Sequence, residues 1–418
     1  MAARTSPASP VRDLIAERKL RTVFQPIVEL EFADRSPIGY EALTRGPAGS
    51  ELEMPASLFG AAARDGVLPE LDRACLRIAM ESAIAGGFSA SQLLFLNAEP
   101  AAIDVEALDD PSIQDGLKAL PVVVEMTERA LTSRPSEMLG SVAALRERNC
   151  RIALDDIGTD RRSLALMPFL APDVIKLDMG LAQGTLPAED AARVLTAIGA
   201  EAERSGAVVL AEGIENEEHL RRAKAMGATL GQGWLFGRPE PLPRGQIDGA
   251  RSAVPRASGQ PRSRETPFRR IARERPLRRA DKRMLVGLSH HLEREAMALS
   301  GEAVVVAAFQ DAAFFTDDTR RRYEELAASA ALVCALGPGM AESPGTAIRG
   351  ASLGEEDPLN GEWIVAVVGP HFAGALVARE VGDGGPDGRE AFDYCVTYDR
   401  ALVIEASDPV LRRVLRNG

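Results

Sequence analysis

The feature that most constrains this chain is a procession of short apolar runs, each carrying an acid, an amide or a lysine. IGYEAL holds Glu41, LLFLNAE holds Asn97, VVVEMTE holds Glu125 and Glu128, and RIALDDIGT holds Asp155 and Asp156. VIKLD then holds Lys176, VVLAEGIE holds Glu212, and LGQGWLFG holds Gln232. From Asn97 onward the successive polar positions (97, 125, 155, 176, 212, 232) lie 20 to 36 residues apart, about one strand–helix unit each. Amphipathic helices fill the gaps. EDAARVLTAIGAEAERSG sets Ala191, Val194, Leu195, Ile198 and Ala202 on one stripe and stops at Gly206, and EEHLRRAKAMG stops at Gly227. LDRACLRIAMESAIAGG places Leu71, Ala74, Cys75, Ile78 and Ala79 on a stripe, with Asp72 and the other charges off it. Strand–helix alternation at this pace predicts an α/β fold. The number of functional strand ends favours a closed (β/α)8 TIM-type barrel over an open sheet, which gathers its ligands at one switch point.

On such a barrel the C-terminal strand ends converge on one rim. Glu41, Glu125 and Asp155 follow residues that would be buried on both strand faces, where converging carboxylates repel unless a cation lies between them. Asn97 adds a neutral oxygen. Oxygen donors without His or Cys suit magnesium or manganese better than zinc. Where the chain turns after the strand, Asp155 and Asp156 can both lean to the rim, Asp155 bridging two ions and Asp156 binding one. Two ions ~3.5–4 Å apart suit in-line phosphodiester cleavage. Lys176 beside the acids stays charged and can orient the attacking water. Glu212 is a candidate second-metal ligand or base, and Gln232 a holder of water or a substrate oxygen. Taken singly, each residue has a plainer reading: a loop acid, an N-cap pair, a snorkelling lysine. Their joint occurrence in order outweighs those readings.

The 418 residues carry a net charge of −12, which argues against broad nucleic-acid binding but not against an anionic substrate held through cations. Four widely spaced cysteines form no CxxC pair, and no apolar run suits a signal peptide or a membrane span. A cytoplasmic protein that does not enter the membrane is expected. The expected organisation is a tail and short helix over 1–20, the barrel over 21–240, an Arg/Pro/Ser-rich linker over 241–280, and a smaller mixed α/β domain over 281–418.

GYEALTRG, FLNAEP, VVVEMTER, ALDDIGTD, VIKLD, LAEGIEN and GQGWLFGRP resemble, in order, the EAL-domain cyclic-di-GMP phosphodiesterases, with Glu41-Ala42-Leu43 as the namesake triplet and FQPIV as the opening strand. The resemblance implies a modified (β/α)8 barrel that hydrolyses cyclic di-GMP to linear pGpG with two Mg2+ or Mn2+ ions. It implies that Glu41, Asn97, Glu125 and Asp155 hold the first ion, and that Asp155, Asp156 and Glu212 serve the second. By the same resemblance Lys176 positions water and Glu128 braces the loop after Asp156. Gln25, Leu43, Arg45 and Gln232 fall on the substrate side, and a guanidinium at Arg45 suits phosphate on its own chemistry. Phe236 and Pro239 lie where a guanine could stack, core packing being an equal alternative for the aromatic ring. A homodimer through the barrel is also expected. The chain has DDIGTD where the family often has DDFGTG. The change either stiffens the loop or puts Asp160 in a glycine-like conformation. No GGDEF-like signature is present.

SHHLEREA, AAFQDAAFFTDDTRRRYEELA, LNGEWIVAVVGPHFAGALVARE and FDYCVTYDRALV resemble the DICT domain, a sensory module, whose signal or partner here is unknown. His290 and His291 diverge on a helix and poorly suit one metal. Phe309, Phe314, Phe315 and Trp363 are read as core before pocket. Two rival functions stand beside the enzyme: a catalytically silent cyclic-di-GMP receptor signalling to a protein partner, and an interaction protein whose work lies in the linker and C-terminal unit.

Overall fold

The computed structural model describes residues 9–32, 35–88, 91–103, 108–158, 160–242, 254, 256, 265–299, 301–381 and 390–415. Strands β1 (Arg21–Glu29), β2 (Pro37–Arg45), β3 (Leu93–Asn97), β4 (Val122–Thr127), β5 (Arg151–Ile157), β6 (Val174–Leu177), β7 (Val208–Ala211) and β8 (Leu230–Gln232) close into a barrel in sequence order. Seven of them run parallel. β1 is antiparallel to both β2 and β8, so the barrel is a modified one. The helices follow from local chemistry. Helix Ala188–Ser205 has Glu189 and Asp190 in its first turn and ends on Gly206 at φ +76°. Helix Glu217–Ala225 is capped by Asn216, whose side chain accepts the N–H groups of Glu218 and His219.

Every strand contributes to one buried cluster: Ile27, Ile38, Leu93, Phe95, Val123, Ala153, Val174, Leu210 and Leu230 fill the barrel. On six strands a polar residue stands two positions beyond such a filler: Phe95 and Asn97, Val123 and Glu125, Ala153 and Asp155, Val174 and Lys176, Leu210 and Glu212, Leu230 and Gln232. Side chains two apart on a strand share a face, so the layer that seals the barrel also aims the next layer at the rim.

The second sheet has the order β12-β11-β10-β13-β14-β15-β9, built from β9 (Arg278–Asp281), β10 (Val304–Ala308), β11 (Leu332–Gly337), β12 (Ile348–Ser352), β13 (Glu362–Val368), β14 (Ala373–Val381) and β15 (Ala391–Thr397). Alternation splits its residues between two faces. Val305, Ala307, Val333, Val365 and Val367 pack with helices Lys282–Ala298 and Asp317–Ser329. Val304, Val306, Cys334, Ile364 and Ala366 pack with helix Arg400–Leu415, in a cluster continuous with the outer layer of the barrel.

The region read as a linker over 241–280 requires correction where it is described. Thr266 caps helix Pro267–Ala272, Ile271 is fully buried, and β9 pairs with β15 at the sheet edge. Val254 is buried with the barrel-filling cluster, and Arg256 donates to the Asn149 carbonyl at 2.8 Å. The other residues of 243–264, and the tail 1–8, lie outside the described residues. The four cysteines are free and buried. Among the described residues no helix is long and apolar enough to cross a membrane.

Candidate active site on the barrel rim

Lys176, fully enclosed on β6, is the hub of the rim. Its Nζ lies 2.6 Å from Glu212, 3.0 Å from Glu125 and 3.2 Å from Asp155. Burial alone would lower the ammonium pKa, but the surrounding Glu125, Glu212, Glu41 and Asp155 raise it well above its ordinary value, so Lys176 is a cation. Glu41 is turned the other way. Its Oε1 accepts from Asn97 Nδ2 at 2.7 Å and its Oε2 from Gln232 Nε2 at 2.6 Å. Burial pushes its pKa up, but Lys176 and these two donors hold it below the ordinary carboxylate range. Glu41 and Glu125 lie inside their strands rather than at the ends, because β2 runs on to Arg45 against β1. The reversed direction of β1 brings Gln25 opposite Glu41 in register, and Gln25 accepts from Gln232 at 3.2 Å.

Asp155 and Asp156 both reach the rim because the pairing of β5 with β6 shifts register between Leu154 and Ile157. Asp156 sits at φ +58° in that irregularity. On a regular strand the two would face opposite ways, and aspartate tolerates the left-handed conformation better than most residues. One carboxylate oxygen from each of Asp155, Asp156 and Glu212 lies within 4.8 Å of the others. Burial and the neighbouring Asp155 raise the Asp156 pKa. Burial, opposed by Lys176 and helped by Asp155 and Glu41, takes Glu212 up to about 7.

The expected first-ion set is arranged differently from the second. Glu41, Asn97, Glu125 and Asp155 share the rim, but Lys176 stands between Glu125, Asp155 and Glu212, and Asn97 spends its amide on Glu41. Glu125, a residue 1% exposed, is paired with the Lys176 ammonium, yet burial together with Glu41 raises its pKa well above the ordinary value. Five carboxylates (Glu41, Glu125, Asp155, Asp156, Glu212) thus face one ammonium. A hard divalent cation suits this donor set, since it would supply the missing positive charge.

Glu128, first residue of helix Glu128–Ser133, is buried and accepts from Gly158 N (3.1 Å), Asp160 N (2.7 Å) and Ser163 Oγ (2.8 Å). The glycine-like conformation considered for Asp160 does not occur. Asp160 is extended at φ −119° and caps helix Arg161–Leu170 by accepting from Arg162 N. A cavity of about 460 Å3 opens beside the rim, lined by Glu41, Leu43, Asn97 and Glu125 together with Phe59, Asp72 and Cys75. The last three escaped the sequence reading. Asp72, set off the helix stripe by periodicity, is in fact 4% exposed and accepts the Glu99 N–H at 2.7 Å. The other substrate-side positions lie outside that lining. Gln25 donates to the Gly237 carbonyl, and half-buried Arg45 donates to the Thr44 carbonyl. Phe236 packs on the outer core with the Arg35 guanidinium 5.8 Å from its ring, and Pro239 is half-buried. The carbonyl oxygen of the Gln232 side chain is buried without a partner in hydrogen-bonding geometry among the described residues.

Comparison with known proteins finds a family for the barrel and another for the second domain. The EAL domain family matches residues 9–239, more than half of the chain, and the family described as "Sensory domain in DIguanylate Cyclases and Two-component system" (DICT) matches residues 269–381. The chain is similar to the cyclic di-GMP phosphodiesterase NbdA of Pseudomonas aeruginosa, 28% identical over 239 residues that cover 56% of this chain and 30% of that protein. It is similar also to the cyclic di-GMP phosphodiesterase RocR of the same organism, 32% identical over 120 residues, 29% of this chain and 31% of that one. Among solved structures, the manganese/cyclic di-GMP complex of Klebsiella pneumoniae BlrP1 matches at 26% identity and a TM-score of 0.47, covering 53% of this chain and 56% of that one. The chain spans about a third of the length of the curated relatives it matches. It belongs to the EAL-domain family, the family of the cyclic di-GMP phosphodiesterases, and carries a DICT sensory domain after its barrel.

Proposed function

We propose that the barrel hydrolyses one phosphodiester bond of cyclic di-GMP to give linear pGpG, dependent on divalent magnesium or manganese. The observation that carries this reading is the excess of rim carboxylates over the single ammonium of Lys176, which is shared among Glu125, Asp155 and Glu212. Family membership and the names of NbdA and RocR support the substrate. Glu41, Asn97, Glu125 and Asp155 would hold one ion and Asp155, Asp156 and Glu212 the other; such ions polarise the phosphoryl group and make bound water acidic.

The chain's own residues do the rest. Lys176 pairs with Glu125, Asp155 and Glu212 and places a positive charge beside the attacked phosphorus. Glu212 stands as the acceptor for a proton of the attacking water. Glu128 fixes the turn from Gly158 to Ser163, and so fixes the direction in which Asp155 and Asp156 present their oxygens. Gln25 and Gln232 line the Glu41 side, the Gln232 carbonyl oxygen being available to a water or a substrate hydroxyl. Arg45 serves a phosphate, and Leu43 with the cavity beside Glu41 serves a base. Phe236 and Pro239 belong to the same substrate side. Assembly as a homodimer through the barrel belongs to this reading.

The test is chromatography of the products after incubation of the full chain with cyclic di-GMP in magnesium, manganese or calcium. Conversion to pGpG in the first two and not in calcium, whose looser coordination disturbs a two-ion site, supports the reading. Cyclic di-GMP that binds and returns intact in all three would replace it with the silent receptor.

A further inference from the structure

The second domain has a cavity of its own, about 360 Å3, on the face of the sheet turned away from the barrel. Helices Lys282–Ala298 and Asp317–Ser329 form its sides and β13 its floor. The expectation that the aromatic residues here are core holds for Phe315, which is buried edge-to-face against Phe309 at 5.3 Å and Tyr323 at 5.6 Å. Phe309 and Trp363 are only half-buried and line the space, and Phe314 stands exposed at its mouth. Phe392 fixes Trp363 perpendicular to itself at 5.9 Å. His290 also lines the cavity, whereas its neighbour His291 is exposed.

One polar side chain in this lining is unsatisfied. Ser289 is 5% exposed and its hydroxyl has no partner in hydrogen-bonding geometry among the described residues. Buried hydroxyls are normally satisfied, and such an orphan in a cavity marks a place where a ligand completes the bonding. On the other helix Tyr323, 1% exposed, turns its hydroxyl to Glu293. Burial and Glu293 raise the Tyr323 pKa well above its ordinary value, so the phenol keeps its proton for Glu293 while its oxygen can still accept. Glu293, whose carboxylate also accepts from Arg322 at 3.1 Å, and Asp318 bring negative charge to the same lining and oppose an anion. A purely apolar guest would leave the Ser289 hydroxyl unsatisfied. The half-exposed faces of Phe309 and Trp363 call for a flat ring.

We propose that this cavity binds a planar nitrogen heterocycle with hydrogen-bonding groups on its edge, of the chemical kind of a nucleobase, its ring against Trp363 and Phe309 and its edge on Ser289 and Tyr323. The site lies in the second domain and is independent of the activity assigned to the barrel.

Trp363 reports on occupancy. The chain has two tryptophans, so Trp234→Phe in the full chain leaves Trp363 as the sole emitter, and ligand on the barrel rim has no tryptophan there to quench. Guanosine and adenosine are titrated as probes, with toluene as a ring that lacks edge hydrogen-bonding groups and is not excited at tryptophan wavelengths. The expected result is saturable quenching by at least one nucleoside and weaker quenching by toluene. Tyr323→Phe and Ser289→Ala, each shown by its melting curve to be folded, should weaken the nucleoside roughly tenfold. The absence of saturable quenching by either nucleoside, equal response to toluene, or unchanged affinity in both variants would overturn the proposal.

Discussion

The backbone N–H of Asp156 donates to the carboxylate of Asp155 at 2.9 Å, and that contact pins two consecutive acids to one side of a strand. It is possible because Asp156 leaves the extended conformation for φ +58° where β5 slips register against β6. The result is a dense acidic rim whose balance depends on Lys176 and whose shape depends on Glu128.

Lys176→Met should remove the ammonium from between Glu125, Asp155 and Glu212. Breaking a buried pair from one side costs about 3–5 kcal/mol, so the melting temperature without added cations should fall. Manganese should then raise it by more in the variant than in the wild type, because the vacated carboxylates repel one another. Cleavage of cyclic di-GMP should drop at least a hundredfold, on the order expected for loss of a preorganised charge at the reacting group. Thermal melts with and without manganese check this, and a variant as stable as wild type without metal would contradict it.

Glu128→Ala should free two donors, Gly158 N and Asp160 N, and leave Ser163 Oγ with the Asp160 carbonyl. Hydrogen exchange at the Gly158 and Asp160 amides should accelerate while the barrel strands stay protected, with a stability loss of about 1–3 kcal/mol. Glu128→Gln should recover only part, since one carboxylate oxygen becomes an amide nitrogen that can only donate, and it meets donors there. Unchanged exchange across 158–160 would show that Glu128 does not hold the loop.

Asp72 ties stability to pH. Burial raises its carboxyl to about 7, against about 3.9 in an unfolded chain. Between those values the folded state binds more protons than the unfolded one, so stability falls as pH rises through the window. An asparagine side chain in its place would keep the acceptor for the Glu99 N–H without the charge. Asp72→Asn should therefore be more stable than wild type at pH 8, by on the order of 3 kcal/mol, and converge with it near pH 4. Denaturant titrations at both pH values decide it, and a variant less stable at pH 8 refutes it.

Arg193 makes a polar contact between the domains. It reaches Glu302 at 3.4 Å and Asp190 at 3.1 Å, and Asp190 also accepts from Arg161, the residue after Asp160. A double-mutant cycle of Arg193→Ala and Glu302→Ala should show coupling of roughly 0.5–3 kcal/mol in unfolding free energy. Strict additivity would mean the pair does not form in solution.

What could be read from the sequence followed the period-2 pattern of the strands. Asn97, Glu125, Asp155, Lys176, Glu212 and Gln232 announce themselves because each lies two residues beyond an apolar barrel filler. The reversal of β1, which puts Gln25 across from Glu41, leaves no such mark, because direction comes from pairing and not from side chains. Nor does LDDIG say that the register slips there. Asp72 was hidden by its helix, where one turn places it between the apolar stripe and the solvent face. In the Arg-rich segment, Phe268 and Ile271 are too few to set a period, and β9 is an edge strand with mostly exposed side chains, held by backbone bonds to β15.

The most direct test compares wild type with Glu125→Gln in manganese, following cyclic di-GMP binding by calorimetry and pGpG by chromatography. Glutamine keeps the size of Glu125 and removes its charge from the centre of the rim. The wild type should bind and convert the dinucleotide, and the variant should lose conversion by at least a hundredfold while still binding. Equal pGpG formation by both, or none by the wild type, would contradict the account.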